Sequence, residues 1–381
     1  MKIVFLAIEL QKSFNAQYIQ NRARINMSLT DDSLEMILDN ILTEYTSNGM
    51  KLKDSALNEE IRALIKAKLA DVLLERLKSR VLERLGASKK IENQFEAAVF
   101  ITWKKPFDLL DLLLNICLEV ASEFNLEHGS ETFSKPSYIQ AALARQQANA
   151  CLVFNAIIHL LKSGFPSGAH SHWKTLHEIA CVSYFISNHG KDMAKRFLDY
   201  EIVERYFQVE AILEHEKKMD CKLLSERDFK AIMKKVNEMK KTYGSDFVRK
   251  ANYPYGWVPR TILRTRSLKE IEKSVELDLL RPYYDLASYN VHGSPKGLIF
   301  KLGTMNKEAQ NMVVPTGPSN YGLAEPGKSA AISLGQVTAC LLLAKSTVKS
   351  LIIVETLRNL VDEICDAFCK IQADFSKDTK T

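Results

Sequence analysis

An all-α fold is predicted for this chain, as a helical bundle with an N-terminal helical extension and one long Gly/Pro-rich loop. Three observations predict it. Apolar residues recur at spacings of three and four over most of the length, turn residues gather in a few places, and little of the chain is left for a sheet. With 46% hydrophobic and 26% charged residues among 381, and only 15 Gly and 10 Pro, the composition excludes collagen-like and broadly disordered classes.

The elements follow in order. Asp31/Asp32 cap a first helix reaching about Ser47, closed by Asn48-Gly49. Asp54 to Leu85 places Leu57, Ile61, Leu64, Ile65, Leu69, Val72, Leu73, Leu77, Val81 and Leu85 on helical spacing, with Gly86 as its stop. Helices over Ser88–Trp103 and Pro106–Glu123 come next. The Gly-, Ser-, Thr- and Pro-rich stretch Leu126–Ser137 divides an N-terminal helical region, 1–130, from a C-terminal bundle, 131–381.

In the second region a helix over Tyr138–Lys162 ends at Gly164, and a tight connection to Gly168 leads into a helix over Ala169–Ser187. Asn188-His189-Gly190 turns the chain into a charged helix over Lys191–Lys218, and Ser225 caps a basic one ending at Tyr243-Gly244. Ser245–Arg266 is irregular. A helix from Ser267 kinks or restarts at Pro282 and runs to His292. Gly293–Gly327 is a long loop, and a last helix covers Lys328–Asp374, with Gly335 able to bend it.

No run of about 18 uncharged apolar residues exists, so no membrane span is expected. The apolar opening, Ile3 to Ile8, is ended by Glu9 too early for a signal peptide. Seven cysteines (Cys117, Cys151, Cys181, Cys221, Cys340, Cys365 and Cys369) form no CxxC pair, which points to a reducing, cytoplasmic setting. Cys365 and Cys369 are expected in a buried stripe with Ile364 and Phe368.

Several motifs bear on chemistry. Gly322-Leu323-Ala324-Glu325-Pro326-Gly327-Lys328-Ser329 matches the phosphate-loop pattern G-x-x-x-x-G-K-[ST]. That loop needs a buried strand before it and further strands after it, and neither is present, so a turn opening the last helix is expected instead. His170, His172, His177 and Glu178 have zinc-ligand chemistry, but His170 and His172 diverge by about 200° on a helix. Solvated histidines near a helix start are the expectation, with no metal and no cofactor. There is no G-x-S-x-G elbow, and no histidine has an Arg five to seven residues before it.

Charge is unevenly placed. Lys217–Lys273 holds 16 basic and 7 acidic residues, a net of +9, against −3 for the remainder. Lys234, Lys235, Lys240, Lys241, Arg249, Lys250 and Arg260, interleaved with Tyr255 and Trp257, are candidates for nucleic-acid binding: cations for phosphates and rings for bases. An acidic protein would be attracted as well. The long 54–85 helix is a candidate seam for a homo-oligomer.

Polar residues also interrupt three apolar helices. Arg145 and Asn149 lie on the first, and Lys174 and Glu178 on the second. Tyr284, Ser288 and His292 lie at i, i+4 and i+8 on the third. If these faces meet, either the polar groups satisfy one another as a structural network that fixes helix register, or Glu178 orients His292 as a general base or acid, with Ser288, Lys174 and Arg145 beside it.

Over Ala148–Phe300 the chain resembles a bacterial family known as domain of unknown function 5677. The likeness rests on Leu160-Leu161-Lys162-Ser163-Gly164-Phe165, on Lys174-Thr175-Leu176-His177-Glu178, and on Tyr284 to His292. Lys174 stands where the family pattern has Arg, so a bidentate fork is not available there. The resemblance implies a helical bundle and supplies no reaction. Two readings follow. The leading one is a cytoplasmic helical binding or interaction protein meeting nucleic acid or an acidic partner, in bacterial stress or phage defence. The other is a nuclease-like hydrolase using His292 with Glu178.

Overall fold

A backbone break at Trp103 (φ −103°, ψ 18°) interrupts the first long helix, α1, Glu59–Ser134. The reason is local. Pro106 has no N–H to offer the preceding turn, so the helix is cheapest to break there. The computed structural model describes residues 43, 59–134, 137–219, 225–293, 295–299, 301–303 and 317–378. The expected 31–47 helix, Thr43 apart, lies outside them, as do Cys221 and the last three residues of the chain. The chain divides into two compact units, Met1–Thr102 and Trp103–Thr381. Among the described residues there is no strand, and no helix is long and apolar enough to cross a membrane.

In the first unit α1 passes through Gly86, which the sequence pattern had assigned as a stop. An interior Gly costs only about 1 kcal/mol, which good helix formers on either side outweigh. Leu74, Val81 and Leu85 are exposed on this part of α1.

In the second unit α1 buries Trp103, Phe107, Leu110, Leu113 and Cys117, spaced by three and four. Its backbone stays helical through Ser134, across most of the stretch expected to break. Gly, Ser and Thr weaken a helix without ending it.

Helices α2 (Tyr138–Lys162) and α3 (Pro166–Asp199) are joined where Gly164 takes φ 78° and Pro166 enters the first helical turn. Gly190, at φ 75° and ψ −156°, kinks α3 where the sequence placed a turn. After α4 (Glu201–Met219), the basic α5 (Glu226–Tyr243) starts with the Ser225 hydroxyl accepting from the Asp228 N–H at 3.2 Å. The predicted Ser267–His292 element is two helices, α6 (Leu268–Ser274) and α7 (Arg281–Val291), the second with Pro282 in its first turn. A short α8 (Pro295–Ile299) follows in the loop.

The predicted last helix is also two, α9 (Ala324–Leu343) and α10 (Val348–Asp378). Thr347 and Ser350 cap the second reciprocally, the Thr347 N–H donating to Ser350 Oγ at 2.7 Å and the Ser350 N–H to Thr347 Oγ1 at 3.1 Å. At the centre, α3 packs on α2, α7 and α9, and α9 packs on α2 and α10. Trp173 Nε1 donates to Ser333 Oγ at 3.0 Å, and Thr338 Oγ1 to Gln147 Oε1 at 3.1 Å, so these buried polar atoms are satisfied. Ile364 and Phe368 are buried as expected, but Cys369 is exposed and Cys365 half-exposed. The cysteines lie one residue, about 100°, round the helix from that stripe.

The phosphate-loop pattern has a packing explanation. Gly322, at φ 79°, presses on the Leu302 carbonyl, where a Cβ would stand 2.1 Å from the oxygen. Gly327 lies inside α9 against the Phe368 ring, at 2.4 Å for a Cβ. Lys328 pairs with Glu325 at 3.3 Å, and Ser329 is buried within α9 rather than at its start.

Candidate functional site

The helical repeat of α3 sets the site out. His170, Trp173 and His177 are spaced by three and four, and form a ladder of rings along one face. The His170 ring stacks on Trp173 with centroids 5.4 Å apart, Trp173 lies 5.3 Å from His177, and His177 lies 5.9 Å from Tyr284 of α7. His170 and His177 are wholly buried, which corrects the expectation of solvated histidines; only His172 is exposed. Trp173 between them makes this an interior face.

Burial forces His177 to find a partner. Its Nε2 lies 2.9 Å from Glu272 Oε1, and the Cys181 thiol one turn along lies 3.6 Å from the same nitrogen. The other Glu272 oxygen accepts from Arg281 Nη2. Glu272 is thus a fully buried carboxylate held between an imidazole and a guanidinium. Burial pushes the Cys181 thiol far up, with the Glu272 carboxylate adding to the shift.

Beside this triad stands a second, half-exposed group. Lys174 Nζ sits 4.9 Å from the Tyr284 ring centroid and the Arg281 guanidinium 4.6 Å from it, so one ring carries two cations. The Tyr255 hydroxyl donates to Glu178 Oε1. Burial, and then the Glu178 charge, hold the Tyr255 and Tyr284 phenols far above their ordinary range.

Of the predicted catalytic set, Lys174 lies over the Tyr284 ring and Glu178 accepts from Tyr255. The remaining three do not join them. Arg145 is exposed on α2. Ser288 spends its hydroxyl on the Tyr284 carbonyl at 3.0 Å. His292 ends α7, exposed, eight residues and therefore about 12 Å along the axis from Tyr284. The i+8 spacing held the face but carried the imidazole out of the packed region. Sequence reasoning missed Glu272, Arg281 and Cys181, and gave Tyr255 to the basic surface rather than to Glu178. The His177–Cys181 spacing of four was a usable signal, whereas the other three come from segments whose approach only packing defines.

On the basic segment, Lys234, Lys235, Lys240 and Lys241 are exposed on α5, and none pairs with a carboxylate among the described residues. Arg249 and Lys250 are exposed, with Lys250 4.0 Å from Glu210, and Arg260 pairs with Asp246 at 2.7 Å. Tyr255 and Trp257 do not present rings for bases: they are only 8% and 3% exposed. Trp257 packs edge-on to Phe185 and Phe197 at 5.7 and 5.2 Å, because an indole in a connection between helices gains most by covering their apolar side.

A cleft of about 540 Å³ lies at the outer end of the ladder, lined among others by His170, Tyr283, Leu302, Tyr321, Glu325 and Lys328. Neither His170 ring nitrogen has a hydrogen-bond partner of good geometry, and burial lowers its pKa to about 4.

The fold and this interior define the second unit as an all-α bundle built round a buried polar network. Residues 140–310, which carry that network, match the model of a Family of unknown function (DUF5677). No curated protein and no solved structure matches the chain.

Proposed function

We propose that this chain is a binding protein that engages the phosphate backbone of nucleic acid through α5 and the connection after it. The observation that carries the reading is the set Lys234, Lys235, Lys240 and Lys241, exposed and without carboxylate partners among the described residues. An unpaired cation is free to displace a phosphate counterion, and each such contact steepens the salt dependence of affinity. With Tyr255 and Trp257 buried, stacking on bases is not part of the reading, so binding is expected to be indifferent to sequence. A reducing cytoplasm is the setting we favour, supported by the free thiols of Cys117, Cys151, Cys181, Cys340, Cys365 and Cys369.

The test is fluorescence anisotropy with labelled duplex and single-stranded oligonucleotides across a salt series. Binding should weaken steeply with salt, and replacing the four lysines by Ser should make the log–log slope shallower by about 3. Absent or salt-insensitive binding overturns the reading, as does an unchanged slope in the variant.

A further inference from the structure

We infer that His177, Cys181 and Glu272 form a binding site for a divalent transition-metal ion, zinc by their chemistry. This goes beyond the polyanion-binding reading and is independent of it, since none of the three belongs to the basic surface.

Three donor types converge at one point. His177 and Cys181, four apart on α3, present Nε2 and Sγ on one face, and α6 brings Glu272 Oε1 against them. All three side chains are buried, and their donor atoms lie within 4.8 Å of one another. In a tetrahedral zinc site, with bonds of about 2.0–2.3 Å, neighbouring donors stand about 3.3–3.6 Å apart. The Cys181–His177 separation of 3.6 Å fits that edge, and the His177–Glu272 separation of 2.9 Å needs to open by only a few tenths of an ångström.

The surroundings fit as well. Arg281 holds Oε2 of Glu272 and leaves Oε1 facing the other two donors, so the carboxylate is set for one-oxygen ligation. Nitrogen, thiolate and carboxylate together select zinc or cobalt over calcium and magnesium, which take oxygen alone. Three protein ligands leave a fourth position for water or another small ligand, as in zinc sites that polarise what they bind. His177 Nδ1 has no hydrogen-bond partner to steady the ring. Sites lacking such support bind about 10–100-fold more weakly, so the metal should exchange rather than be locked in.

Cobalt(II), titrated into the full-length chain after dialysis against a chelator, is the probe. One equivalent should produce the intense visible bands of a four-coordinate ion and a thiolate charge-transfer band, and zinc should bleach both. Cys181→Ser, nearly the same in shape, should lose the charge-transfer band, while Cys365→Ser and Cys369→Ser should keep it. X-ray absorption on the zinc-loaded wild type needs no variant: one sulfur among nitrogen and oxygen neighbours is expected. The inference is overturned if folded wild type gives no thiolate band, if the band survives Cys181→Ser, or if the zinc shell holds no sulfur or more than one.

Discussion

His177 Nε2 and Glu272 Oε1 stand 2.9 Å apart, and neither side chain has any solvent exposure. The two are 95 residues apart in sequence, so this contact closes α6 onto α3 and holds the Arg281 end of α7 with it.

Removing one member of such a group leaves the others buried and unpaired. Glu272→Ala should therefore cost about 3–5 kcal/mol of stability, read as a fall in the urea midpoint. A loss below 1 kcal/mol would mean that His177 and Arg281 find other partners.

His170 makes stability depend on pH. Its folded-state pKa is lowered from 6.5 to about 4 by burial. The unfolded chain then binds the extra proton between those values. Stability from this group is fully present above about pH 6.5, is lost as pH falls, and levels off near pH 4. About 3 kcal/mol should be lost over that window. His170→Phe, which keeps the stack on Trp173, should flatten this part of the curve in melts at pH 7 and pH 5.

Gly327→Ala tests the packing explanation of the phosphate-loop pattern. The new methyl group would meet the Phe368 ring, and a loss of about 1–3 kcal/mol is expected. Adding Phe368→Leu should restore part of it in thermal melts, an outcome that a nucleotide-binding role for the glycine would not give.

His292 is exposed at the end of α7, and its replacement by Ala should change stability by no more than about 0.5 kcal/mol. A larger loss in denaturant titrations would place the His292 imidazole inside the network after all.

Local signals read from residues alone located many elements well. Ser225 and Gly244 bracket α5, Gly164 and Pro166 separate α2 from α3, and Pro282 opens α7, because caps and breakers act through backbone geometry within a few residues. They failed where continuation competes with termination: Gly86 did not stop α1, and a cap at Thr347 split the last helix. The polar residues on α3 were legible too, since Lys174 and Glu178 stand out on an apolar helix.

The sequence by itself determined the helical class, most helix starts and stops, and the uneven charge, all of which depend on neighbours a few positions away. Tertiary structure alone decided which polar side chains share an interior. It turned Tyr255 and Trp257 inward, set Glu272 beside His177, and left His292 outside. Periodicity specifies the face of a helix but not the partner helix or the depth along it, and those follow from packing the whole core at once.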